Sequence, residues 1–318
     1  MGAIVKEWNI LESKLVWYVV KRAFLALLAI FLVITITFFA MKAIPGGPFL
    51  SEKSPSPAVT AQLEEMYGLD KPIMEQYTTY LKGVLRFDFG PSIKMRGRTV
   101  AELMIEGFKT SSVLGLTAAG IALLIGLTLG SLAAVFHNKW IDKLIMVLST
   151  GSVAMPSFVI ATILLLLFCV QLPWLPANGS TAAGLVLPVV SLSLYPMAYI
   201  TRLTRSSMLD VLGQDYIRTA RAKGLSAPKV VFKHALKNAV TPVITYLGPM
   251  IAYILTGSLV VENIFSVPGI GEYFFSGIVN RDYPMVMGTT IFLATVMVIM
   301  TLLSDIAYKI FDPRVDLS

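Results

Sequence analysis

Five stretches of this chain carry no charged side chain: Ala23–Met41, Thr110–Phe136, Leu144–Thr201, Ala239–Val261 and Tyr283–Ser304. An α-helix of about 20 apolar residues crosses the hydrocarbon of a bilayer, and four of these tracts have that length. Within lipid a backbone must satisfy its own N–H and C=O groups, which a helix does inside one segment. The tracts therefore define an all-α polytopic membrane protein. With 56% hydrophobic and only 14% charged residues, no soluble interior could enclose the apolar share.

The tract Leu144–Thr201 is too long for one crossing, and the Pro/Gly/Asn-rich run Leu172–Gly179 interrupts it, so it holds two helices and a turn. Six spans are expected, near 23–41, 110–136, 145–171, 184–201, 239–261 and 284–304. An even number puts both termini on one side. The first span, preceded by Lys14, Lys21 and Arg22, exceeds the apolar run of a signal peptide and has no small-x-small site after it, so it reads as a retained anchor. Lys and Arg gather before span one, after span two, between spans four and five and in the tail, whereas the short loops after spans three and five hold only Arg281. The positive-inside rule then makes both termini cytoplasmic. The net charge of +7 follows from topology and implies no nucleic-acid partner.

Four parts are expected: 1–43, the N-terminus and first span; 44–109, an extracytoplasmic loop domain with helical patterns near 57–67 and 72–85; 110–306, a five-helix core; and 307–318, a cytoplasmic tail. No phosphate loop, H-E-x-x-H, G-x-S-x-G or cysteine pair occurs, and Cys169 stands alone in an apolar tract. The chain is thus read as no enzyme, with no metal site and no ATP site of its own. Ionisable residues lie at span ends, as Lys42, Glu262 and Asp305 do, which disfavours an ion-coupled carrier. Gly126 and Gly130 in span two permit close helix approach, inside the chain or at a subunit interface.

The core includes a cytoplasmic loop, 202–238, carrying eight bases against Asp210 and Asp215. Within it Asp215-Tyr216-Ile217-Arg218-Thr219-Ala220-Arg221-Ala222-Lys223 has a helical pattern ended by Gly224, and Ser226 and Pro228 start a second helix at about 226–238. Two short helices at a glycine bend form a knob. Thr219, Ala220 and Ala222 would leave one face small enough to enter a partner's groove, while the bases add attraction to it and to lipid headgroups.

This loop resembles the EAA loop of ABC-transporter permeases, with Arg218-Thr219-Ala220 and Gly224 at its motif positions and His234-Ala235-Leu236-Lys237 further on, although the initial acid and final proline are absent. Similarity to the B-type oligopeptide/dipeptide permeases extends through Ile44–Pro48, Gly68–Pro72, Gln76-Tyr77, Phe87–Gly90, Leu175–Gly179, Val261–Gly271, Arg281–Pro284 and Asp312-Pro313-Arg314. The resemblance implies a type I importer permease of MetI-like fold in a bacterial cytoplasmic membrane. It implies a homologous C-type second permease, two ATPase subunits that bind ATP and Mg, and an extracytoplasmic peptide-binding protein. Nickel import by the same superfamily is the alternative, and a passive channel a weaker one. By the same resemblance, the knob couples to the ATPases. The segment bearing Glu262, Phe265, Pro268, Gly269 and Gly271 reads as a re-entrant turn, serving either as an outer gate that touches the binding protein or as an interfacial anchor. The outer domain either covers a central cavity or holds the binding protein.

The topology is testable by labelling. Cysteine introduced at Asn178 or Ser54 should react with an impermeant thiol reagent from outside, and cysteine at Ser226 should not. The reverse pattern would overturn the orientation.

Overall fold

A computed structural model describes residues 2–49 and 56–311, so Ser54 and Asp312-Pro313-Arg314 lie outside the described residues. The described chain is helical: α1 Gly2–Ala43, α2 Pro57–Met66, α3 Ile73–Val84, α4 Val100–Val135, α5 Trp140–Ala154, α6 Ser157–Leu165 and α7 Val186–Leu212. There follow α8 Asp215–Ala222, α9 Ala227–Lys229, α10 Lys237–Ala239, α11 Thr241–Gly257, α12 Leu259–Ile264, α13 Ile270–Val279 and α14 Tyr283–Phe311. Two π-helical stretches, Leu166–Gln171 and Val230–Leu236, continue α6 and join α9 to α10.

Among the described residues five helices are long and apolar enough to cross a membrane, and six spans result if the bent pair Trp140–Ala154 and Ser157–Gln171 counts as one. That pair corrects the expectation of one helix over 145–171. Pro156 has no N–H, and its ring holds Met155 extended at φ −98° and ψ 129°, so the axis turns by 100°. The fourth span is also longer than expected, because α7 runs on to Leu212 and carries Arg202, Arg205 and Asp210 on a helix rather than in a loop. Charge marks where hydrocarbon ends, not where helical hydrogen bonding ends.

The chain forms two compact units, one from 1–111 and 268–302, the other from 112–267 and 303–318. In the first, Ile34, Phe89, Val100, Leu103, Met104, Met285 and Ile291 form the core. The helices expected near 57–67 and 72–85 are present as α2 and α3, and α3 is tied to the end of α1. The Gln76 amide accepts from Lys42 and donates to the carbonyls of Leu69 and Lys71, while Tyr77 and Thr35 share a hydroxyl–hydroxyl bond of 2.8 Å. The phenol of Tyr80 is pushed up from its ordinary pKa by burial. Asp282, 2% exposed, caps α14 by accepting from the Met285 N–H at 3.3 Å. The same carboxylate receives the Ser92 hydroxyl and the N–H groups of Ile93 and Lys94, tying the 92–94 loop to the helix start.

In the second unit α7 is the axis, with α5, α6 and α11 packed against it. Its core includes Leu114, Ala118, Ala161, Ile200, Val243, Met250, Ile254 and Phe265. The glycine pair of α4 resolves here as an intramolecular contact. A β-carbon on Gly126 would lie 2.8 Å from Ile200, and one on Gly130 2.5 Å from the Thr201 carbonyl oxygen and 2.6 Å from Thr204 Cβ. Backbone therefore meets backbone at a distance only glycine allows.

Gly130→Ala should force α4 from α7 and cost about 1–3 kcal/mol by overpacking, whereas Gly120→Ala, with nothing within 4 Å of the new atom, should be silent. Thermal unfolding of the two purified variants in one detergent checks the contrast.

Candidate functional site

The knob forms, and it is anchored. Ile217 is fully buried and Ala220 is 7% exposed, packed with Ala134, Met208, Val230, Ala235 and Ala239 in a small core of their own. The Tyr216 hydroxyl accepts from the Asn238 amide at 2.9 Å, joining α8 to the helical segment after it. Helix α8 closes with two paired bonds: Leu225 N–H reaches the Ala220 carbonyl at 3.4 Å and Gly224 N–H the Arg221 carbonyl at 2.9 Å. Gly224 is left-handed at φ +77°, as the sequence predicts for a glycine ending this helix. Ser226 precedes the second helix in extended conformation but contributes no side-chain cap. That helix is α9, the π-helical stretch and α10 in succession.

One expectation needs correction. Ala220 does not share with Thr219 and Ala222 a face free for a partner; it points into the knob's own core. The exposed surface of α8 consists of Asp215, Tyr216, Arg218, Thr219, Arg221 and Ala222, continued by Lys223 and Gly224. Small size at 220 lets α8 approach the bundle, and small size at 219 and 222 keeps the outer surface low.

Beneath the knob lies a cluster that the sequence does not announce. Asp142, 2% exposed in the first turn of α5, accepts from Arg205 of α7 through Nε at 2.6 Å and Nη2 at 2.8 Å. The Asn138 N–H donates to the same carboxylate at 2.9 Å, and His137 Nδ1 lies 3.2 Å from Arg205 Nη2. In the sequence Arg205 is one loop base among eight. The signal that could have found the pair is Asp142 itself, a lone acid between Lys139 and Lys143 at the edge of an apolar tract.

The segment expected as a gate divides between the two units after Val267. In the second unit Glu262 and Phe265 are fully buried. The Glu262 carboxylate accepts from Ser258 Oγ at 2.5 Å, and its backbone carbonyl takes the Val267 N–H at 2.8 Å. Gly179 donates to the Phe265 carbonyl at 2.8 Å, which brings the turn after the third span onto this segment. These two side chains thus face protein core within the second unit. In the first unit Pro268 is exposed, while Gly269 and Gly271 are buried where α13 begins.

Two matching families account for the chain. Residues 126–317 match the binding-protein-dependent transport system inner membrane component family, and residues 15–112 match the N-terminal region of such membrane components. The chain belongs to this family of multi-pass transport-system permeases. Among its relatives, the dipeptide transport system permease of Bacillus subtilis (strain 168) is 48% identical over 301 residues, covering 94% of this chain and 98% of that one. The oligopeptide transport system permease of Haemophilus influenzae is 44% identical over the same shares of each chain. The dipeptide permease of Lactococcus lactis subsp. cremoris is 40% identical over 304 residues, 95% of this chain and 100% of that one. The fold is similar to a chain of the inward-facing MetNI methionine ABC transporter, with TM-score 0.54, 18% identity, and coverage of 66% of this chain and 96% of that one. An amino acid ABC transporter crystallised with histidines gives TM-score 0.50 at 19% identity, covering 67% of this chain and 94% of that one.

Ala220→Leu should lift α8 from its seat, at about 1–3 kcal/mol, whereas Thr219→Ala should leave it in place. Limited proteolysis between 202 and 239 should accelerate in the first variant only.

Proposed function

We propose that this chain is the permease subunit of an ATP-driven importer of dipeptides or oligopeptides, with both termini cytoplasmic. It builds the translocation path with a homologous second permease and receives peptide from an extracytoplasmic binding protein. Two partner ATPases supply the ATP and Mg chemistry, and this chain binds neither. The observation that carries the reading is similarity at 40–48% identity to dipeptide and oligopeptide permeases over 94–95% of the chain. The exposed surface of α8 and the bases after it are then the coupling contact.

The anchoring of the knob supports the mechanism. A contact shifts an equilibrium between outward and inward states only if its free energy differs between them. A floppy loop would absorb ATPase motion, whereas α8, packed on Met208 of α7 and Ala134 of α4, passes it to two long helices. The outer segment 44–109 and the exposed Pro268 are assigned to the extracytoplasmic face.

Gly224 tests the coupling assignment. A residue with a β-carbon at φ +77° is strained by about 1–2 kcal/mol, although nothing lies within 4 Å of that atom. Gly224→Trp, which also places bulk beside Ala222, should abolish most peptide uptake and ATPase co-purification at matched membrane abundance. Retention of both would make the knob a mere connector. Uptake of nickel but not of labelled dipeptide or oligopeptide by the intact wild-type complex would replace the peptide reading.

A further inference from the structure

Helix α7 leads into the knob, and two of the contacts that hold it are unlike. Against α4 the contact is apolar packing and close approach: Gly126 and Gly130 sit on Ile200, Thr201 and Thr204. The buried hydroxyls of Ser131 and Thr204 make no hydrogen bond there. Such a surface has shape but few directional bonds. Against α5 the packing also carries a directional element, a two-pronged Arg205–Asp142 pair with N···O distances of 2.6 and 2.8 Å, backed by the Asn138 N–H. His137, with its side chain 45% exposed, closes the solvent side.

We propose that Arg205 and Asp142 are positioning residues that oblige α5, and the bent α5–α6 pair it begins, to move with α7 when the knob is displaced. Resting on the reading of the knob as the ATPase-coupling element, this names the joint through which that element reaches the rest of its unit. A bidentate pair specifies angle as well as distance, so it transmits rotation where a smooth helix contact permits slip. Its place suits a joint, since Arg205 lies between the glycine contact of α7 at 200–204 and Met208, on which the knob is seated. Asp142 opens α5 directly after the Asn138 turn at φ +63°.

The test uses the full transporter with its ATPases in proteoliposomes, carrying Asp142→Asn, Arg205→Lys or, as control, Lys143→Gln. The measured quantity is labelled peptide imported per ATP hydrolysed, in complexes shown to retain both ATPase subunits. The ratio should fall roughly tenfold for Asp142→Asn, within the range produced by single residues of a coupled network. It should fall less for Arg205→Lys, which keeps the charge without the fork, and not at all for Lys143→Gln. An unchanged ratio in the first two variants overturns the proposal. So does failure of both to accumulate, which would assign the pair to folding alone. Because Gly224→Trp reads ATPase retention while this experiment reads yield after retention, the knob and the joint can fail separately.

Discussion

A backbone inside hydrocarbon has no water to lean on, and the fold follows from that deprivation. The long apolar tracts form helices that close their own hydrogen bonds. Where the ladder is interrupted, the interruption has an identifiable cause. Pro156 has no N–H to give and produces the bend, while stretches 166–171 and 230–236 widen to π-helix and keep their bonds internal. The same constraint sorts the polar side chains. Ser191, Thr201 and Thr289 are buried, and each hydroxyl donates to a carbonyl of the preceding turn of its own helix. Asp142, Glu262 and Asp282, all buried, each hold specific donors.

Those three acids differ in what they organise. Asp282 joins a helix start to a distant loop in the first unit. Glu262 braces a turn in its own segment. Asp142 engages a cation on another helix, and removing one partner from a buried pair generally costs about 3–5 kcal/mol, because the survivor stays desolvated and uncompensated. A pair with that penalty is weakly justified by stability, since an apolar contact of equal volume would serve as well. Its directional geometry gives it a use that an apolar contact lacks.

Much of this is legible in the sequence, for reasons that differ by residue. The spans are visible because charge is excluded from lipid, and the knob because Gly224 follows a helical pattern at the spacing a left-handed cap demands. The outer helices at 57–66 and 73–84 are marked by their own periodicity and by Pro57 and Pro72 at their starts. The inward turn of Ala220 is not visible, because an alanine satisfies a close-packed core and a close-packed partner equally. The bend at Pro156 is ambiguous for a related reason: proline in a span can kink it mildly or end it, and neighbouring helices decide which. The Asp142–Arg205 pair spans 63 positions, a separation that no periodicity reports. Extension of α7 to Leu212 hides it further by giving Arg205 the look of a loop base.

The position of Ala220 changes how the outer face of the knob, proposed above as the coupling contact, must be understood. A loop whose three small residues all faced outward would be soft, because nothing beneath it would resist a push. With Ile217 and Ala220 committed inward, Thr219 and Ala222 become the low outer surface of a seated helix, flanked by Arg218, Arg221 and Lys223. If the knob is the coupling contact proposed above, its long bases would attract over a distance and its small residues would permit contact, so attraction would precede fit and the seat would convert fit into displacement. Under the joint proposed above, such a displacement would meet two unlike contacts of α7: the close glycine contact with α4 and the charged pair with α5.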